Sequence, residues 1–337
     1  MDFRQKGSVM FPSKTQKPLV AVSGLSVEMP LAGGKDGLKI VDNIDFSIAV
    51  GERVALVGES GSGKSVTARA IMRLDLAARL SGKVDFEGKD LLTLPEKDMR
   101  HYRGSSIAMV FQDPMSFLDP LMSIGDQVAE TLRIRGVGRA EARKRALSVL
   151  DELGVDRAAE RLDSYPHEFS GGMRQRVVLA MALVGEPKLL IADEPTTALD
   201  VRVQDQVLDL LDDVSTRRGL AVLFITHDLG VVAGFAERVM VMYSGRIVED
   251  GDVHTVFKDP KHPYTRGLIR AVPRIDQDLE ELYAIPGAPP PPMARPAGCP
   301  FNPRCSDAFD RCRSELPAVL PVAGERVACH LHDRKGA

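Results

Sequence analysis

Cysteine is missing from the first 298 of the 337 residues; all four, Cys299, Cys305, Cys312 and Cys329, fall in the last 39. Four thiols are too few for a disulfide scaffold at this length. The fold must rest on an apolar core, and 44% apolar with 27% charged residues is an ordinary supply for one. Long apolar runs are missing too: the longest, residues 177–185, is far short of the roughly 18–20 residues of a membrane span. Residues 1–17 are polar, carry Arg4, Lys6, Lys14 and Lys17, and lack the apolar centre of a secretion signal. The expected place is the cytoplasm, with any membrane contact made through partners. Neither charge dominates. With 44 Lys and Arg against 47 Asp and Glu, the net charge of −3 argues against bulk binding to nucleic acid or anionic lipid, though not against a local basic patch. No internal repeat is visible. At roughly 150 residues per domain the length suggests two domains, or one large domain plus an extension.

Residues 1–18 read as a loose tail. Strand patterns cover residues 19–29, 38–48, 52–57, 82–86 and 107–111. A helix is expected from the glycine-rich stretch at 58–65 to about Arg79. The middle is more helical: residues 139–153 place Ala146, Leu150 and Leu153 on one stripe of a charged helix, and Ser170 opens another helix to about Val184. Residues 189–192 form a short, wholly apolar run typical of a buried parallel strand. Residues 201–216 read as helix and 221–226 as strand. Residues 238–243 and 246–249 read as a hairpin turned at Ser244-Gly245. Strands alternating with helices imply a mostly parallel α/β sheet, with the helical block 113–169 inserted between sheet elements. Residues 286–296 are a proline-rich, stiff linker leading to the cysteine-bearing tail.

The chemistry concentrates in a few places. Gly58-Glu59-Ser60-Gly61-Ser62-Gly63-Lys64-Ser65 has the G-x-x-x-x-G-K-[ST] pattern between a strand and a helix. Its glycines let backbone N–H groups turn inward around phosphate oxygens, and the following helix adds its positive end. Lys64 is expected to reach the β- and γ-phosphates and Ser65 to hold Mg²⁺. Such a loop needs an acid at the end of a buried strand. Asp193 fits that role, holding Mg²⁺ through water, and Glu194 is placed to polarise the attacking water as general base. Taken alone, the two acids could simply cap a strand end; beside a phosphate loop they carry chemistry. His227 ends the strand 221–226 and, on a neighbouring parallel strand, reaches the same sheet edge as Asp193, where it can contact the γ-phosphate. Gln112 also ends a strand and could reach Mg²⁺ or the water.

These residues, with Phe169-Ser170-Gly171-Gly172-Met173-Arg174-Gln175-Arg176, resemble the ATP-binding subunits of ABC transporters over about residues 19–250. Ser170, Gly171, Gly172 and Met173 match the family signature, Ala198-Leu199-Asp200 the loop after the catalytic acid, and His227 the switch histidine. The resemblance implies an α/β P-loop NTPase cassette at 19–260: a mostly parallel sheet, an antiparallel β part and a helical subdomain at about 113–169. A small cysteine-containing extension follows at 261–337. It further implies that two cassettes sandwich ATP, so that Ser170 and Gly172 serve the partner's nucleotide, and that the helical block contacts the membrane subunit. Two departures stand out. Met173 replaces the usual Gln of the signature, and Met29 stands where the family usually stacks an aromatic on adenine, a softer contact.

The string Asp193-Glu194-Pro195-Thr196-Thr197-Ala198-Leu199-Asp200, the segment His262-Pro263-Tyr264-Thr265 and the proline-rich tail with Gly298-Cys299-Pro300 and Pro303-Arg304-Cys305 narrow the resemblance to dipeptide/oligopeptide importer ATPases. Within that group the chain resembles the Met-signature member of the ATPase pair. This implies a second ATPase subunit, two permease subunits and an external peptide-binding protein, at the cytoplasmic face of the membrane; nickel and glutathione importers resemble the same group. Nucleic-acid ATPases of this core would need a long arm between Gln112 and Ser170, where only 57 residues lie, and translation-associated ones carry two cassettes where this chain has one phosphate loop. The cysteine spacing C-x5-C-x6-C-x16-C fits neither common zinc nor ferredoxin patterns. A disulfide pair, buried free thiols, zinc (with His330 or His332) and a [4Fe–4S] cluster are all open on spacing; the family resemblance implies the cluster.

Overall fold

The computed structural model of the chain describes residues 17–31, 37–112, 117–196, 200–272 and 283–333. Two strands open the fold, β1 (Val20–Pro30) and β2 (Gly37–Ile48); β3 (Arg53–Val57) then leads into the phosphate loop and α1 (Lys64–Ile71). After β4 (Arg79–Phe86), β5 (Lys89–Asp90) and α2 (Glu96–Tyr102) comes β6 (Ile107–Val110). The helical layer follows: α3 (Ile124–Ile134), α4 (Arg139–Glu152), α5 (Ala158–Arg161) and α6 (Gly171–Leu183). Next are β7 (Leu189–Asp193), α7 (Val201–Arg218), β8 (Ala221–Thr226), α8 (Leu229–Phe235) and the hairpin β9 (Arg238–Tyr243) and β10 (Arg246–Asp252). The chain continues through α9 (Val253–Lys258), α10 (Pro263–Arg270), α11 (Asp310–Ser314), β11 (Leu320–Val322) and β12 (Glu325–Val327).

Among the described residues these strands form two sheets. One is antiparallel, in the order β2-β1-β4-β5; the other runs β11-β12-β10-β9-β3-β8-β7-β6, with β9, β3, β8, β7 and β6 parallel. The parallel strands read as unbroken apolar runs because both faces are covered. The alternation of side chains shows which face is which. Leu189 and Ile191 of β7 join the core under the antiparallel sheet and α1, whereas Leu190 and Ala192 join the core under the helical layer. β8 divides the same way, with Leu223 and Ile225 on one side and Val222 and Phe224 on the other.

The expected helix from the phosphate loop to Arg79 stops at Ile71. Arg73 takes a left-handed φ of 52°, and the carbonyls of Met72 and Arg73 accept hydrogen bonds from Arg103 at 2.8 and 2.9 Å. That guanidinium, brought in by the end of α2, satisfies the carbonyls a helix end leaves bare. Arg79 is thereby released to begin β4, opposite Glu28 of β1. The hairpin turn falls at Ser244-Gly245 as expected, with φ of 45° and 80° at its centre.

The tail does not stand apart. β12 pairs with β10 (Glu249 opposite Val327) and β11 pairs with β12, so the tail extends the main sheet. Phe301 inserts beside Tyr243 and Tyr264, with ring centroids 5.2 and 5.4 Å away. Among the described residues no helix is long and apolar enough to cross a membrane.

Candidate nucleotide site

β3 runs between β8 and β9, and its C-terminal end must turn sharply to enter α1. Gly58 makes that turn at φ 153°, where a Cβ would lie 2.1 Å from the Met242 carbonyl oxygen. Gly61 and Gly63 follow with φ of 77° and 108°, a conformation costly for any side chain. Ser60 is exposed, and the buried Ser62 Oγ has no hydrogen-bond partner, an orphan donor inside the loop. Lys64 arches back, its Nζ donating to the Gly58 and Glu59 carbonyls at 2.7 and 3.1 Å. Burial lowers the Lys64 pKa, opposed by the charges of Glu194, Asp193 and Glu59.

The second strand end meets the loop directly. Ser65 Oγ donates to Asp193 Oδ1 at 2.9 Å, and burial holds the Asp193 pKa above the usual carboxylate value. A buried carboxylate beside a hydroxyl is a donor set that suits a hard divalent cation, so the residues fit Mg²⁺.

Glu194 is the next residue and turns away from Asp193, because its backbone adopts a left-handed φ of 48°. Its N–H is pinned to the Ile225 carbonyl at 2.9 Å, which holds β7's exit against β8. Its carboxylate is shared: Gln112 Nε2 donates to Oε2 at 3.1 Å, and His227 Nδ1 lies 3.1 Å from Oε1. Since a carboxylate can only accept, His227 carries its proton on Nδ1 in this contact. Strand ends of β3, β6, β7 and β8 thus deliver Lys64, Ser65, Gln112, Asp193, Glu194 and His227 to one edge, the place where open α/β sheets bind ligands.

The signature lies with the helical layer. Ser170 caps α6, accepting from the Met173 N–H at 3.4 Å, and Ser170 and Gly171 are exposed while Gly172 is half-buried. The departure at Met173 has a local role: its side chain packs against the helical core, and its sulfur lies 4.0 Å from Arg161 Nη1. Gln175, on the same helix, ties α6 to the Asp193 strand end by donating to the Pro195 carbonyl. Asp200 caps α7, accepting from Val203 N–H at 3.0 Å; Ala198 and Leu199 lie outside the described residues. Met29 sits half-buried near the end of β1, opposite Leu38.

Sequence reasoning missed three contacts behind the loop, although Tyr264 and Arg304 stand in its tail motifs. Arg304 pairs with Glu59, Tyr264 accepts the Glu59 N–H at 2.9 Å, and Arg295 reaches the β9–β10 turn. No local signal marks these contacts, because each partner lies 51 or more residues away.

Cys299, Cys305, Cys312 and Cys329 line one small cavity with Phe301 and His330, and all four are free thiols. Burial pushes Cys299 and Cys329 up to about 11 and raises Cys305, which favours the neutral form of these three thiols. His330 and His332 each donate from Nε2 to a backbone carbonyl, of Glu315 at 2.9 Å and of Lys261 at 3.1 Å. Among the described residues no three Cys, His, Asp or Glu side chains are gathered closely enough to hold a metal ion. By type the four thiols are a donor set for iron or zinc once deprotonated, but they are not drawn together into such a site.

Comparison with known proteins agrees with this geometry. Residues 41–197 match the ABC transporter family, and residues 248–312 match the oligopeptide/dipeptide transporter, C-terminal region. The chain is 48% identical over 296 residues to the dipeptide transport ATP-binding protein DppD of Escherichia coli, covering 87% of this chain and 90% of that one. It is 46% identical over 308 residues to the oligopeptide transport ATP-binding protein AppD of Bacillus subtilis, covering 90% and 94%. Among solved structures it resembles the ATP-binding cassette MJ0796, a dimer in a post-hydrolysis state bound to ADP and Pi. The TM-score is 0.61 at 28% identity, covering 69% of this chain and 98% of that one. A phosphate loop facing two strand-end acids, followed by the peptide-transporter tail, places this chain in the family of ATP-binding subunits of dipeptide/oligopeptide ABC transporters.

Proposed function

We propose that the chain hydrolyses ATP at this sheet edge and couples it to the import of dipeptides or oligopeptides. The observation that carries the reading is the Glu194 carboxylate, held on one oxygen by Gln112 and on the other by His227, one residue beyond the Asp193–Ser65 pair. The loop 58–63 and Lys64 bind the phosphates. Ser65 and Asp193 hold Mg²⁺, which when bound neutralises phosphate charge and orients the terminal group. Glu194 takes a proton from water as its oxygen attacks the γ-phosphorus in line; the bond to the β–γ bridging oxygen breaks, giving ADP and phosphate. Gln112 and His227 position that carboxylate.

Ser170, Gly171, Gly172 and Met173 serve the nucleotide of a second, homologous ATPase subunit, with Asp200 at the junction. The exposure of Ser170 and Gly171 at the start of α6 supports this reading. Two permease subunits, docked on the helical layer, and an external peptide-binding protein complete the assembly, with this chain peripheral at the cytoplasmic face of the membrane. The cysteine cavity takes a [4Fe–4S] cluster on Cys299, Cys305, Cys312 and Cys329, supported by four thiols around one cavity. Anaerobically purified protein is then brown with about four irons per chain; colourless protein with stoichiometric zinc sinks this part.

Glu194→Gln tests the mechanism. In the assembled transporter it abolishes turnover, by at least about 10²-fold, and ATP traps the paired cassettes closed. Normal hydrolysis by that variant overturns the assigned base.

A further inference from the structure

The cysteine-bearing tail crosses directly behind the phosphate loop. Arg304, next to Cys305, makes a parallel pair of bonds to Glu59, from Nη1 to Oε2 at 2.7 Å and from Nη2 to Oε1 at 2.9 Å. Its Nε donates to the Pro286 carbonyl at 2.9 Å, and its guanidinium lies 5.8 Å from the Tyr243 ring centre and 5.9 Å from that of Phe301. With only 4% of the side chain exposed, this is a built-in contact and not a chance surface pair. The Glu59 N–H is held by Tyr264 Oη at 2.9 Å, and Tyr264 is fully buried. A second tail residue, Arg295, bonds Ser244 Oγ at 3.1 Å and the Ile40 carbonyl at 2.7 Å; the adjoining Gly245 N–H donates to the Ser62 carbonyl at 2.8 Å. The tail thus grips the loop at Glu59 and supports it at Ser62.

We propose that Arg304 is a positioning residue for nucleotide binding: by pairing with Glu59 it fixes the loop and cancels a negative charge that would otherwise repel the triphosphate. A carboxylate inside a phosphate-binding loop opposes the loop's purpose, since its charge repels that of the phosphates; the Glu59 charge is already felt at Lys64. Bidentate pairing removes that opposition only while the tail is docked, so the state of the tail is read at the phosphate site. A pair that merely anchors the tail predicts lost stability with unchanged nucleotide affinity. The inference rests on nucleotide occupying residues 58–65.

The test is equilibrium binding of a fluorescent ATP analogue with Mg²⁺ to the full-length chain, with melting recorded alongside. Arg304→Met weakens binding about fivefold or more, and adding Glu59→Gln to it restores affinity to within about twofold of the parent. Glu59→Gln alone keeps an acceptor for Arg304 but leaves that cation uncancelled, and binds about twofold tighter or more. In the assembled transporter the Arg304→Met effect falls on KM and not on kcat. Unchanged affinity in Arg304→Met, or an equally weak double variant, overturns the proposal. If Arg304→Met does not fold, Glu59→Gln decides by itself: unchanged or weaker binding overturns it. Lys64→Ala checks the underlying reading separately. Binding as tight as the parent's there places nucleotide elsewhere and removes the basis for the Arg304 role.

Discussion

The Ser65 hydroxyl and the Asp193 carboxylate, 128 residues apart in the chain, meet across 2.9 Å. That contact joins the first turn of α1 to the end of β7 and closes the phosphate loop against the acid strand.

Asp193 sits there at an energetic cost. Burial raises its pKa, so at neutral pH its charge opposes folding until a cation arrives. Asp193→Asn keeps an oxygen for Ser65 and drops the charge. Without nucleotide, the variant is as stable as the parent or more so by about 1 kcal/mol. Mg²⁺ with ATP raises the parent's melting temperature and leaves the variant's nearly unmoved. A variant that melts well below the parent, or that gains equally from Mg²⁺ and ATP, contradicts this account.

The loop glycines differ in what they protect. A methyl at Gly58 would meet the Met242 carbonyl at 2.1 Å, and that oxygen belongs to a strand in the sheet and cannot yield. At Gly61 nothing lies within 4 Å and only the φ of 77° resists. Gly58→Ala should cost about 3 kcal/mol or more, and Gly61→Ala about 1 kcal/mol. Denaturant titration of the two variants separates them; equal losses would mean backbone freedom alone matters.

Docking of the tail hairpin depends on pH. Glu325 of β12 is buried against Glu249 of β10, whose carboxylate accepts from the Lys261 and His262 N–H groups at 2.6 and 3.0 Å. Burial first, then the Glu249 charge, raises Glu325 to about 7; Lys261 opposes the shift and Asp259 adds to it. The folded pKa lies above the unfolded 4.5, so the folded state holds the extra proton. Its stabilising contribution is complete below about pH 4.5 and is lost as pH rises through about 7. Amide exchange at residues 325–327, corrected for intrinsic rate, should show stronger protection at pH 5.5 than at pH 8. Glu325→Gln should flatten the difference, and a flat profile in the parent refutes it. His262 takes no part: full burial drives it down to about 3, leaving a neutral ring whose Nδ1 accepts the Tyr264 N–H and caps α10.

Much of the site was legible in the sequence because its signals are local. Leu189–Asp193 ends in Asp193 and Ala221–Thr226 is followed directly by His227, and parallel pairing brings the ends of such short apolar runs to one edge whatever the loops do. Gln112, Glu194 and His227 were each identifiable as strand-end groups, and their convergence follows from neighbouring β6, β7 and β8. The end of α1 was not legible. Its capping group is Arg103, about thirty residues on, and nothing within a helical turn of Ile71 announces it.

The sequence by itself determined the order of the phosphate loop, the acid strand, the signature and the tail, because each is written in residues a few positions apart. Only the tertiary structure decided that the tail completes the main sheet at Glu249 opposite Val327, and that Arg304 closes on Glu59 from 245 residues away. Local periodicity and capping chemistry report on neighbours within one turn or one strand. An ion pair between distant segments depends on the whole path of the chain, and that path is settled only when the core that lies between them has packed.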